Sequence, residues 1–332
     1  MGEFDLIKRY FRRPEDQARG AVALGIGDDC ALLNAGEGQP GGQYWAVSTD
    51  MLVEGRHFLS TVPPERLGHK SLAVNLSDLA ACGAQPQAFT LSLSMPRVDE
   101  AWLEGFSKGL FELADAQGIV LAGGDTTAGP LTIGITVLGT VPPHAALRRS
   151  AAQLHDDIWV SHPVGGGIGD ARLALEVFRG RVSVQGSTFD ALRLAMECPQ
   201  PRVSLGMALR GLAHAAIDLS DGLVGDLGHV LKASSVGAEL HWPALPRSPV
   251  LAAQSQHWQQ RCLLHGGDDY ELLFTAPPSQ AQAVQRAALG CGVAVSRIGR
   301  IMGSGGMKLL DEQGREMSLS GGGFDHFLPS SP

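Results

Sequence analysis

The chain has 332 residues, 44% apolar and 18% charged, with a formal net charge of −8. That length suits two domains of ordinary size, and the acidic balance argues against generic binding to nucleic acid or anionic membrane, so a polyphosphate ligand would have to be held through cations. Five cysteines without a CxxC pair argue against zinc and a disulfide framework, and the lack of a leader-like segment or an apolar run of about 18 residues makes the cytoplasm the expected compartment.

Phe4, Ile7 and Phe11 share one side of a short amphipathic helix. Residues 21–33 read as strand, turn, strand around Gly25-Ile26-Gly27-Asp28-Asp29, a glycine-rich loop takes 34–43, and 45–48 form a short strand ending in Thr49-Asp50. A helix over 63–82 is stopped by Gly83, with Pro86 just beyond. From 87 to 95 strict alternation puts Phe89, Leu91, Leu93 and Met95 on one strand face and Thr90, Ser92 and Ser94 on the other. Asp99 caps the next helix, which is striped by Trp102, Phe106, Leu110 and Leu113 and ended by Gly118. Strands follow over 119–122 and 131–141, and Pro142-Pro143 marks a domain edge.

In the second half, a strand over 158–161 precedes a glycine-rich turn at 165–169 and a helix. A helix covers 203–212, and a strand at 215–219 leads into a helix with Leu223, Leu227, Val230 and Leu231 on one face. Strands over 263–274 and 294–301 complete the pattern. Both halves mix helices with hairpin-like strand pairs, which favours the α+β class.

The chemistry is carried by a recurring arrangement in which a small or apolar run ends in Asp beside Gly, Ser or Thr. It occurs at Asp28-Asp29, Asp50, Asp125, Asp218, Asp221 and Asp268-Asp269. Any one of these is as readily a turn residue. Several at expected strand ends repel one another unless a cation sits between them, and hard oxygen ligands suit Mg²⁺. Asp78 is the only charged residue from Ser71 to Pro96, and it shares a helix stripe with Ser71, Asn75 and Cys82. Such a stripe packs on something polar; the plain alternative is a second subunit. There is no Walker loop, no GxGxxG and no protein-kinase motif. Gly123-Gly124-Asp125-Thr126-Thr127 could set N–H groups and a carboxylate around a nucleotide phosphate. Taken alone, the residues describe a multi-magnesium phosphate enzyme of no familiar nucleotide fold.

The stretches GIGDDCALL, STDMLVEGRHF, SLAVNLSDLAACGA, GGDTTAGPL, PRVSLG, AIDLSDGLVGDLGH and GGDDYELLF together resemble the thiamine-monophosphate kinase family of the aminoimidazole-ribonucleotide-synthetase-like superfamily. The resemblance runs over nearly the whole chain, and its most specific part is Ser48-Thr49-Asp50 followed by His57. It implies ATP-dependent phosphorylation of thiamine monophosphate to thiamine diphosphate by direct in-line transfer. It further implies a two-domain α+β fold, with an N-terminal domain over 1–147 that binds ATP and Mg²⁺ and dimerises through its sheet, and a C-terminal α/β domain over 148–332.

Carried over by position, Asp29, Ser48, Thr49, Asp50, Asp78, Asp125, Asp218 and Asp221 match magnesium ligands, with Asp50, Asp125 and Asp218 central to catalysis. Gly124, Asp125, Arg149 and Ser220 match ATP contacts, and His57, Asp268 and Phe324 match thiamine-phosphate contacts. The implied partners are thiamine monophosphate, ATP and a second copy of the chain, with no nucleic acid and no membrane. The acceptor is a phosphate already ionised near neutral pH, with a second pKa of about 6, so no general base is required. Two positions depart from the family: Asp268 where it usually has Glu, and Ser161-His162 where it usually has Thr-Gly. The alternatives are a selenide-activating or purine-ring-closing ATPase of the same superfamily, or a non-catalytic sensor of nucleotide or thiamine phosphate. Selenide activation would want a reactive cysteine in a glycine-rich N-terminal loop, whereas Cys30 follows the GIGDD turn.

Overall fold

The computed structural model describes residues 2–12, 20–35, 42–303 and 305–319, so the expected contact at Phe324 lies outside the described residues. The first half contains α1 (Glu3–Tyr10), β1 (Val22–Leu24), β2 (Ala31–Asn34), β3 (Tyr44–Val53), α2 (Pro64–Ala81), β4 (Gln85–Met95), α3 (Glu100–Gln117), β5 (Val120–Ala128) and β6 (Thr132–Val141). Its strands form one sheet in the order β1-β2-β3-β6-β4-β5, antiparallel except for the β4–β5 pair that α3 connects. Alternation works as expected: Phe89, Leu93, Ile133, Ile135 and Val137 are buried against the helices. Asp99 caps α3, accepting from the Trp102 N–H at 3.1 Å, and Gly118 ends it at φ +64°. The two helices cross closely because Gly68 and Gly109 stand at the crossing. A Cβ there would lie 2.0 Å from the Phe106 carbonyl oxygen and 1.8 Å from that of Glu65.

The second half contains β7 (Asp157–His162), α4 (Asp170–Phe178), α5 (Gly186–Glu197), α6 (Val203–Ala208), β8 (Ala215–Asp218), α7 (Leu223–Ser234), β9 (Gly237–His241), α8 (Pro249–Ala252), α9 (Gln256–His265), β10 (Leu272–Ala276), α10 (Ala281–Gly290), β11 (Ala294–Met302), β12 (Met307–Leu310) and β13 (Glu316–Met317). The sheet order is β13-β12-β9-β11-β7-β10-β8, with β12–β9 its parallel pair. This is the expected α+β class.

Three segments differ from expectation. β3 does not end at Thr49-Asp50 but runs through them to Val53. β5 does not stop at 122; it continues through Gly123 to Ala128 as an almost fully exposed edge strand, held by its pairing to β4 and without an apolar side of its own. Leu263 and Leu264 close α9 and do not open a strand, because a short apolar run has no period that separates buried helix from buried strand. α2 is wrapped on both sides, by the first sheet and by β8, α6 and β10, in one continuous apolar core. Ser71 and Asn75 are thus buried within the chain and need no second subunit to cover them.

Candidate metal and phosphate site

α2 carries its polar stripe into the junction of the two sheets. Asn75 Nδ2 donates to the Ser71 carbonyl at 3.0 Å, and its Oδ1 accepts from the Asp50 main-chain N–H at 3.0 Å. One turn on, Asp78 Oδ2 accepts from Ser48 Oγ at 2.6 Å. Asp29, at the end of the turn before β2, and Asp218, at the end of β8, converge on Asp78. Each of the three offers a carboxylate oxygen, all within 4.8 Å of one another. Asp50 lies beside them, on the face of β3 that looks toward α2.

The electrostatics are those of a site short of positive charge. Burial, then the Asp29 carboxylate, raises Asp218 to about 8; burial, then Glu3 and Asp29, raises Asp50 to about 6. Asp78 is pushed well up by burial and by Asp50, Asp218 and Asp29. Burial and Asp29 hold Asp28 at about 7, against Arg149. Among the described residues Arg149 is the one guanidinium in ion-pair contact with this group, bonding Asp29 Oδ1. Burial pulls the Arg149 pKa down, but Asp29, Asp28 and Asp218 outweigh it and the net direction is up. Asp29 Oδ2 is buried with no hydrogen-bond partner among the described residues. An orphaned buried oxygen among three converging carboxylates fits a divalent cation with hard oxygen ligands, as Mg²⁺ is.

Around this centre the other expected residues divide. Asp221 and Gly222 donate their main-chain N–H groups to Asp226 Oδ2 at 3.1 and 3.0 Å, so the buried Asp226 shapes the turn that carries Ser220 and Asp221. Asp226 is a supporting carboxylate the sequence reading missed, although it lies in AIDLSDGLVGD, one more Asp beside Gly. His57 sits just past β3, and its Nδ1 accepts from the Val53 N–H at 2.9 Å, which places the proton of a neutral ring on Nε2. Thr49 faces away from Ser48 and Asp50: its hydroxyl meets that of Thr136 on the opposite face of the sheet. Asp125 pairs with Ser92 on that same open face and is exposed. Gly124 turns toward Leu91 at φ +153°, where a Cβ would lie 1.9 Å from the Leu91 carbonyl oxygen, so only glycine fits. One copy of the chain therefore brings together Asp29, Ser48, Asp50, Asp78, Asp218 and Arg149, and leaves the Thr49 and Asp125 side chains on the far face.

Asp268 lies in the loop between α9 and β10 at φ +65°, and its Oδ2 accepts from Lys70 Nζ at 2.9 Å. Lys70 was not singled out from sequence; no spacing links it to a partner 198 residues away. The Ser161-His162 departure stands behind this loop. Ser161 bonds Glu271 and accepts from the Leu272 N–H at 2.8 Å, while His162 Nε2 meets Ser296 Oγ at 3.0 Å.

Comparison with known proteins agrees with this geometry. Residues 27–141 match the N-terminal domain of AIR synthase related proteins, and 174–312 match their C-terminal domain. The chain is 45% identical over 328 residues to the thiamine-monophosphate kinase of Escherichia coli strain K12, covering 98% of each, and 32% identical to that of Bacillus subtilis strain 168 over 98% of this chain and 100% of the relative. Among solved structures, thiamine-monophosphate kinase from Stenotrophomonas maltophilia K279a superposes with a TM-score of 0.77 at 43% identity, covering 92% of this chain and 96% of that one. AaThiL complexed with AMPPCP and TMP superposes with a TM-score of 0.81 at 27% identity, covering 98% and 97%.

Proposed function

The chain belongs to the thiamine-monophosphate kinase family of AIR synthase related proteins, and from that premise we propose that it transfers the γ-phosphoryl group of ATP directly to the phosphate of thiamine monophosphate, releasing ADP and thiamine diphosphate. The observation that carries this reading is the convergence of Asp29, Asp78 and Asp218 with one oxygen left unpartnered among the described residues. Mg²⁺ bound there supplies neutralisation of two polyanions and alignment for in-line transfer.

The chain's own residues do the rest. Asp29, Asp78 and Asp218 hold the metals with Asp50 beside them, Ser48 orients Asp78, and Asn75 fixes the main chain at Asp50. Arg149, Ser220 and Gly124 meet ATP phosphates, with Asp221 and Asp125 as further metal ligands. His57, Asp268 and Phe324 meet the acceptor. No proton need be removed from an ionised phosphate oxygen, so no acid–base pair is required.

Thr49 and Asp125 belong to the same reading through a homodimer. Their shared face of the first sheet, with Met51 61% exposed, supports pairing with a second copy there. We take 1–147 and 148–332 as the two domains. The cytoplasm is the working compartment, with no nucleic-acid or membrane partner. Among the described residues no helix is long and apolar enough to cross a membrane.

The test is turnover: ATP, Mg²⁺ and thiamine monophosphate incubated with the protein must yield thiamine diphosphate and ADP in equal amounts. ADP without thiamine diphosphate supports an ATPase of the wider superfamily. Ligand binding without turnover supports a sensor.

A further inference from the structure

Lys70 lies on the buried side of α2, 2% exposed, and the phosphoryl-transfer scheme gives it no task. Its Nζ donates to Asp268 Oδ2 at 2.9 Å, reaching from the first half of the chain to the second. Among the described residues Asp268 is its one ion-pair partner. A buried ammonium persists only when paired, so Lys70 fixes where one Asp268 oxygen goes. The Asp268 side chain is itself 38% exposed, so it stays accessible to a ligand with Lys70 on one oxygen and the Tyr270 side chain close by.

The loop that carries Asp268 is held in costly conformations. Gly267, Asp268 and Tyr270 have φ of +70°, +65° and +50°. Non-glycine residues stay in the left-handed region when their surroundings over-determine them. Here the Asp268 and Tyr270 N–H groups bond the Ser220 and Leu219 carbonyls, both at 2.8 Å, and Asp269 Oδ1 accepts from the Gly169 N–H at 2.8 Å. The loop is thus laced to the turn that carries Asp218 and Ser220. Lys70 ties it as well to the helix that presents Asn75 and Asp78, and a helix is a rigid ruler between those residues.

We propose that Lys70 is a positioning residue for the phosphoryl acceptor. By holding Asp268 Oδ2 it sets the acceptor-side loop at a fixed distance from the metal carboxylates and presents Asp268 to the cationic or amino part of thiamine monophosphate. The proposal rests on thiamine monophosphate being the acceptor. Lys70 acts through Asp268 and touches no reacting atom, so its removal loosens acceptor binding without slowing transfer.

Steady-state kinetics of the full-length protein with saturating Mg²⁺ test this. Lys70→Met, similar in length and uncharged, is expected to raise KM for thiamine monophosphate about tenfold, with kcat held within about threefold and KM for ATP unmoved. Asp268→Asn, which also weakens the acceptor contact itself, should raise KM at least as far, and the double substitution should match Asp268→Asn alone, because Lys70 acts only through Asp268. An unchanged KM in Lys70→Met, with only a lower Tm, makes the pair structural and overturns the proposal. A lower KM, meaning that Lys70 competes with the acceptor for Asp268, overturns it too, as does a fall in kcat with KM unmoved. If Lys70→Met does not fold, Asp268→Asn decides alone: a KM for thiamine monophosphate that fails to rise ends the proposal. Wild-type protein that makes no thiamine diphosphate overturns the reaction itself, an outcome distinct from a Lys70→Met enzyme with wild-type KM.

Discussion

Two kinds of buried carboxylate occur in this molecule. Glu176 on α4 is fully buried, and Arg172 approaches it at 2.8 Å, Arg181 at 3.3 Å, Arg179 at 3.6 Å and Arg261 at 3.7 Å. Glu197 is paired with Arg66 and Arg193, both at 2.7 Å, and Glu271 with Arg202 and the Ser161 hydroxyl. At the junction of the sheets, by contrast, Asp29, Asp78 and Asp218 share one arginine, Arg149, among the described residues. A carboxylate buried for the sake of the fold brings its own cation or, like Asp226, its own main-chain donors, since an unpaired buried charge is costly. A set left short of positive charge is built to take it from outside.

The largest effect that can break this contrast is on turnover. Asp218→Asn should lower kcat by about 10²–10³-fold, the scale seen when one preorganised charge-stabilising group is lost at a reacting centre. The Tm of the metal-free variant should hold or rise, because a buried carboxyl that is costly to ionise is replaced by a neutral amide. A variant within a fewfold of wild type at saturating Mg²⁺ would sink the metal assignment.

Glu176→Gln should do the reverse. It leaves several guanidinium groups around a neutral amide, and chemical denaturation should show a loss of about 2 kcal/mol, moderate because the arginines are partly wet. The kcat per folded molecule should stay unchanged. Equal stability with lost turnover would show that the two carboxylate classes are not distinct.

The smallest effect sharpens the contrast through pH. Asp218, Asp28 and Asp50 have folded-state pKa values raised to about 8, 7 and 6, so the metal-free folded state holds protons more tightly than the unfolded chain. Their share of stability is present in acid and is lost as pH rises from 3.8 toward about 8. Thermal melts in chelator should show Tm falling across that window, and Mg²⁺ should flatten the fall. A Tm in chelator that climbs through the same window would mean these groups are not raised.

Much of this was legible in the sequence, for identifiable reasons. The capped and glycine-stopped helices of the first half and the alternating strand before Met95 carry local signals that tertiary packing did not override. The recurring Asp beside Gly or Ser marked Asp29 and Asp218, two of the three carboxylates that converge, and the lone charge on its helix marked the third, Asp78. What failed was parity and distance. Thr49 and Asp50 are neighbours in a strand and must point to opposite faces, which goes unseen when the strand is taken to end before them. β5 has no apolar side to announce it through Gly123 and Asp125. Lys70 and Asp226 act through partners that only the folded chain supplies.

The second sheet has a consequence for how the protein is made. β7 lies in its interior, between β11 and β10, and its Ile158, Trp159 and Val160 are all buried. The Ser161 contact with Glu271, just before β10, spans 110 residues. At about 5–20 residues per second, the ribosome finishes β7 roughly 5–20 s before that neighbour emerges. Through that interval an apolar strand has nothing to pair with, and α4 and α5 can form locally but cannot roof a sheet that does not yet exist. The yield of folded protein in a cell then depends on what shields β7 during elongation: a substitution that makes 157–162 stickier would lower solubility by more than its effect on the Tm of the finished protein accounts for.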